Sequence, residues 1–191
     1  MSYREGQFTP SEAAAITGLS LTLQRDWRSQ GHLRPRTGGR ASFSPRELAE
    51  MRLMMKLRGL GLPLPESRKV ADEAAPSIVF AALANHRAKT LAVDAAPERA
   101  AEYIDVLERQ TDGGYLQTMA GLPALDGLLR HALLEGGKCT LLPTLGDDAV
   151  DETIEAAGLI NLWAVAGAIA EAATRPLFTL VLPAGYRRDY T

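Results

Sequence analysis

"SLTLQRDWRSQGHLRPRTGGRASFSPRE", Ser20 to Glu47, gathers six arginines around one tryptophan and one Gly-Gly pair, and only Asp26 and Glu47 oppose them. Ser20 is suited to cap a helix running to about Gln30, which Gly31 ends. Leu23 and Trp27, four residues apart, form the expected packing stripe of that helix. Thr22, Gln24, Arg25 and Arg28 lie on its other faces, and Arg and Gln have the donor and acceptor geometry that suits guanine and adenine edges. Taken alone, such a helix reads as a solvated surface element. The residues that follow change the balance, because Gly38-Gly39 within "HLRPRTGGRASF" is a hairpin-turn signal. Arg34, Arg36 and Arg40 would project from that hairpin as a wing, suited to phosphate contact or a narrow minor groove. The expectation is one nucleic-acid-facing surface on which the guanidinium groups before and after the glycine bend converge.

Upstream, "FTPSEAAAITG" reads as a short helix with both ends marked. Thr9 caps it, Pro10 takes the first helical position, Glu12 completes a capping box and Gly18 stops it. Two short helices joined by "GLS" make a helix-turn-helix. Downstream, Ser44, Pro45 and Glu47 repeat the capping box. Leu48, Met51, Met54 or Met55, and Leu57 or Leu60 then give an apolar helical stripe through about Arg58, read as core. "GLGLPLPE" turns the chain into another helix, about Pro65 to Ala75, and Pro76 is expected to break it.

These pieces, in order, carry a resemblance. "AAAITGLS", "LQRDWRSQGHL", "RPRTGGRASF" and "SPRELAEMRLMMKLRGLGLPLPE" together resemble the winged helix-turn-helix of MerR-family transcriptional regulators over residues 8–75. Arg25 matches the DNA-contacting arginine of that family's recognition helix, and Trp27 falls on one of its aromatic positions. Asp26 replaces one of two adjacent aromatics, and two residues rather than one separate Arg40 from Phe43, so base preferences do not transfer. The resemblance implies double-stranded DNA as ligand and a homodimer acting on promoter DNA, where RNA polymerase is the partner.

Composition bounds the rest. The chain has 191 residues, 46% hydrophobic and 23% charged, ordinary proportions for a globular protein. No apolar run approaches the roughly 20 residues a membrane helix needs. The start, "MSYREGQFTP", lacks an apolar signal-peptide core, which points to a cytoplasmic protein. One cysteine, Cys139, excludes an internal disulfide and any multi-cysteine metal site in one chain. Residues 1–75 hold 12 Lys/Arg against 8 Asp/Glu, whereas 76–191 hold 9 against 15. Two modules with different partners are expected.

The expected fold class is mainly α, an N-terminal winged helix-turn-helix with a C-terminal helical/α+β module. Residues 1–75 form the first, 76–112 a helical linker carrying candidate dimerisation helices, and 113–191 a sensor or oligomerisation module. "SIVFAALANHRAKTLA" and "PERAAEYIDVLERQT" read as helices, and so does "LPALDGLLRHALLEGG", with glycines as its cap. "KCTLLPTL" and "LFTLVLP" read as two short strands. "DDAVDETIEAAGLINLWAVAGAIAEAATR" between them reads as a long or broken helix. Leu162, Trp163 and Phe178 form a candidate ligand pocket, with a plain core the stronger reading.

No catalytic constellation emerges. "LEGGK" lacks the spacing of a phosphate-binding loop, "DDAVDETIE" lacks that of a calcium loop, and Cys139 reads as a small buried hydrophobe. Neither cofactor nor metal is expected, and the identity of any small-molecule effector is left open. The leading function is therefore a sequence-specific, dimeric transcriptional regulator. Its rival is a DNA-architectural protein of phage excisionase or segregation type.

Overall fold

The structure is a computed structural model that describes residues 2–35, 41–93, 128–144 and 157–182. Strand β1 (Ser2–Glu5) precedes four helices, α1 (Pro10–Thr17), α2 (Leu21–Ser29), α3 (Pro45–Gly59) and α4 (Leu64–Ala84). A single 3-10 turn, His86–Ala88, leads to β2 (Lys89–Val93). Then come β3 (His131–Glu135), β4 (Lys138–Leu142), β5 (Ala157–Asn161), α5 (Leu162–Ala172) and β6 (Phe178–Leu182). Mainly α is the right class, but the described strands form two three-stranded sheets, ordered β1-β6-β2 and β4-β3-β5, rather than two strands.

The first helices form as their sequence dictates. Thr9 and Glu12 exchange both bonds of the capping box on α1, Ser44 and Glu47 do the same on α3, and the Ser20 hydroxyl accepts from the Leu23 N–H on α2. Gly18 ends α1 with φ 78°, a left-handed conformation that costs other residues dearly.

Pro76 does not break the chain, because α4 runs through it to Ala84. A proline inside a helix deprives the carbonyl four residues earlier of its N–H partner. Here that carbonyl belongs to Asp72, and the Arg46 guanidinium on α3 donates to it at 3.3 Å. The boundary expected at residue 75 thus falls inside a continuous helix. Only the first part of "SIVFAALANHRAKTLA" is helical. Asn85 takes the Arg87 N–H on its side-chain oxygen at 3.0 Å, and Lys89–Val93 leaves as a strand parallel to β6.

"LPALDGLLRHALLEGG" also departs from expectation. Its described end is strand β3, and Gly136-Gly137 joins β3 to β4 as a hairpin turn, not a helix cap. Both glycines have positive φ, 53° and 78°, as a two-residue turn matched to strand twist requires. In the long segment before "NLWAV", Ala157–Asn161 is a third strand on β3, and Asn161 caps α5 by accepting from the Trp163 and Ala164 N–H groups. "PERAAEYIDVLERQT" lies outside the described residues.

One core unites the described parts. Phe8, Ile16, Leu48, Met51, Leu57, Ile78, Ala132, Leu162, Ile169 and Phe178 belong to a single buried cluster. Helix α5 packs against α4, α3 and α1. The second sheet turns Ala132, Leu134 and Ile160 into that core. The first sheet joins chain start to chain end: β1 runs antiparallel to β6, and the Gly6 N–H donates to the Leu177 carbonyl at 2.7 Å.

Candidate nucleic-acid interface

Helix α2 is held by its inner face and offers its outer one. Trp27 is 2% exposed, and the Arg58 guanidinium from α3 lies 6.0 Å from its ring centroid. Gln24 is 1% exposed, and its amide nitrogen donates to the Pro10 carbonyl at 3.0 Å and the Leu19 carbonyl at 2.9 Å. Both amide donors are consumed in fixing α2 against α1, so Gln24 cannot read a base. That corrects the sequence expectation. Leu23 is corrected in the opposite sense: it is exposed, and the inward stripe consists of Gln24 and Trp27. An amide whose nitrogen donates to two backbone carbonyls fills a core position that sequence reading gave to leucine, while its oxygen Oε1 is buried with no hydrogen-bond partner among the described residues.

The outward face carries Leu21, Thr22, Arg25, Asp26 and Ser29, all exposed. Thr22, Arg25, Asp26 and Ser29 follow the three- and four-residue spacing that aligns side chains on one side of a helix. Arg28 stands at the flank, half-buried, with its guanidinium 5.3 Å from the Phe43 ring centroid. Phe43 follows residues 36–40, and it exchanges backbone bonds with Phe8 at 2.9 and 2.8 Å. Arg28 thereby ties α2 to the Phe8–Phe43 bridge.

Arg34 follows α2 and is engaged. Its guanidinium meets Glu50 at 3.1 Å and Asp72 at 3.8 Å, and Arg46 meets the same carboxylates, each at 3.0 Å. Glu50 is mostly buried, and desolvation holds its pKa above the ordinary carboxylate value despite the two arginines. About half of the Arg34 side chain remains exposed, so phosphate would compete with Glu50 and Asp72 for it. Arg36, Arg40 and Gly38-Gly39 lie outside the described residues, and with them the far side of the expected convergence.

Three further arginines were not read from sequence as part of this construction. Arg52 donates to the Ile16 carbonyl at the end of α1, Arg68 to the Gly31 carbonyl just beyond α2, and Arg58 covers Trp27. Each brings a cation from α3 or α4 to the helix-turn-helix. Their signal in the sequence was faint: Arg58, late in α3, also suits the helix dipole, and Arg52 and Arg68 read as ordinary basic positions within their helices.

The C-terminal candidates separate. Leu162 and Phe178 are fully buried core residues, whereas Trp163 is 36% exposed with Arg130 stacked 4.8 Å from its ring centroid. Leu162 and Phe178 thus belong to the core cluster, the plainer of the two readings of this trio. Cys139, on β4, is half-buried, and its thiol pKa is pushed up to about 11 by desolvation and then by Glu73, so it stays protonated at neutral pH. Among the described residues no group of three His, Cys, Asp or Glu is placed to hold a metal ion, and no helix is long and apolar enough to cross a membrane.

Residues 8–74 match the family model described as MerR HTH family regulatory protein. No curated protein matches the chain. The N-terminal segment is thus a MerR-type helix-turn-helix, the DNA-binding part of a transcription regulator, and it covers a little over a third of the sequence.

Proposed function

We propose that this protein is a sequence-specific transcriptional regulator that binds promoter DNA as a homodimer. The observation that carries the reading is the division of α2 into two faces. Gln24 and Trp27 lock one face to the body, and the other presents Thr22 and Arg25 to solvent. In a helix-turn-helix that exposed face enters the major groove. Thr22 and Arg25 then read base edges, while Arg28, Arg34, Arg36 and Arg40 supply affinity through phosphate neutralisation. A single such unit reads about one half-site, and pairing two is the usual route to useful specificity. The residues beyond the helix-turn-helix serve that pairing or sense an effector, and RNA polymerase is the partner at the promoter. No catalytic step is proposed.

Selection of bound genomic fragments by the full chain at two salt concentrations tests this. Recovery of one dyad-symmetric sequence is the expected result. Salt-sensitive binding without a motif, or protection of tandem arrays, would favour a DNA-architectural role instead. On the selected site, Arg25→Ala should relax sequence discrimination, whereas Arg36→Ala should weaken binding to all duplexes about equally. Equal loss of discrimination from both would refute the division of labour.

A further inference from the structure

Leucine is an unexpected residue to find in water on the outward side of a recognition helix. Leu21 opens α2 and is 41% exposed, while the core side of that helix is filled by Gln24 and Trp27. At about 100° per residue, Leu21, Arg25 and Arg28 fall within a sector of about 60°, so the leucine heads a stripe whose other members are cationic. Arg28 anchors the far end of that stripe over Phe43. The other exposed leucine of the helix, Leu23, lies about 200° from Leu21 on the flank beside Asp26, whose charge disfavours approach to phosphate.

The position matters as well as the exposure. Residues at the start of a recognition helix are those that meet base edges in the major groove. Only one base there presents an apolar group, the C5-methyl of thymine, and small apolar side chains read it by contact. The Arg25 guanidinium, one turn along the same stripe and exposed, would draw that end of the helix toward a polyanion. There an exposed leucine becomes an apolar surface buried against an apolar partner.

We infer that Leu21 is a specificity-determining residue that recognises a thymine methyl group in the major groove. The inference rests on the proposed DNA-reading role of α2 and adds to it a base, an atom and a side chain.

Replacing thymine by deoxyuridine deletes the methyl and leaves every hydrogen-bonding group in place. Duplexes carrying the selected sequence, each with one thymine so replaced, are titrated with the full-length protein by fluorescence anisotropy. At one thymine per half-site the replacement is expected to weaken binding about fourfold, the worth of burying one methyl-sized group. In Leu21→Ala that thymine-to-uracil ratio falls to about one, and in Leu21→Ile it returns. Circular dichroism of both variants should match the parent, because the position is on the surface. Arg25→Ala should weaken the thymine and uracil duplexes alike. An unchanged ratio in Leu21→Ala, or a selected sequence with no methyl-sensitive thymine, overturns the assignment of Leu21 while leaving the regulator reading intact. If no sequence is selected at all, the regulator reading fails and takes this one with it.

Discussion

From Phe8 to Ser67 many bends of the chain are closed by a partner a few residues away. Thr9 bonds Glu12, Ser20 bonds Leu23, Ser44 bonds Glu47, and the Ser67 hydroxyl donates to the Leu62 carbonyl. In the two sheets three of the four described strand pairings are remote, the β3–β4 hairpin being the exception: Ser2 lies opposite Val181, Lys89 beside Phe178, and His131 opposite Asn161. Closing a long loop costs more chain entropy than closing a short one, so the sheets depend on contacts that repay this together. The helix-turn-helix is specified locally, and the sheets are specified by the assembled core. Beyond the buried cluster they share, the two are joined beside the Gly6–Leu177 bond by Arg175, which stacks 4.7 Å from the Phe8 ring centroid while bonding Glu12 and the Gln7 carbonyl.

The sharpest way to break this comparison is to empty the local region's core. Trp27→Ala should cost roughly 3–5 kcal/mol in urea unfolding, the range for deleting a large buried aromatic. Because one buried cluster runs from Phe8 to Phe178, the loss should appear in a single transition that also melts the sheets. Two separated transitions would show that the regions fold independently.

Next in size is Gly6, at the junction. A Cβ there would lie 2.9 Å from the Pro176 carbonyl oxygen and 3.1 Å from that of Leu177, with the Phe8 ring at 3.0 Å. Gly6→Ala must push β1 away from β6, at a cost of about 1–3 kcal/mol. Amide exchange should accelerate first in Ser2–Glu5 and Phe178–Leu182, while α1 and α2 keep their protection. Uniform acceleration would mean that the remote contacts also hold the local region.

The same difference in range governs what the sequence could disclose. The starts of α1, α2 and α3 were legible because their capping residues sit three positions from what they bond. Gly136-Gly137 was misread because a glycine pair after an apolar run fits both a helix end and a hairpin. What favours the hairpin is a third strand, Ala157–Asn161, which pairs with the other edge of β3 from far along the chain and lies outside any local window. Pro76 was misread because the group that relieves its missing N–H, Arg46, is on another helix. At the interface, Thr22 and Arg25 were found and Gln24 was misplaced. Whether a glutamine faces a base or a carbonyl depends on where α1 ends up, which spacing within α2 does not encode.

A smaller effect should come from a local cap taken singly. Ser44→Ala removes the acceptor for the Glu47 N–H at the start of α3 and should cost about 1 kcal/mol in the same unfolding measurement. Since α3 supports both Trp27 and α5, the loss should again be global, whereas fraying confined to the first turn of α3 would point to a looser core.

The smallest effect isolates local and remote partners on one carboxylate. Glu12 accepts from the Thr9 N–H at 2.6 Å, the Thr9 hydroxyl at 2.8 Å and Arg175 at 3.1 Å. Its pKa lies below the ordinary carboxylate value, chiefly through the Thr9 backbone, then the Thr9 side chain, with Arg175 contributing less. A depressed pKa means the stabilisation is present above the unfolded-state value and is lost as pH falls through the folded one. Glu50 runs the other way: its pKa is raised by burial, so its contribution is present at low pH and lost as pH rises through the folded value. Glu12→Gln should therefore lower the melting temperature at neutral pH, with the gap to the parent closing in acid. By NMR titration of Glu12, Thr9→Ala should raise its pKa more than Arg175→Ala does, because a neighbour bound within one helical turn holds its geometry more closely than an exposed arginine arriving from 163 residues away. The reverse order would make the distant clasp, not the cap, the element that secures the start of the helix-turn-helix.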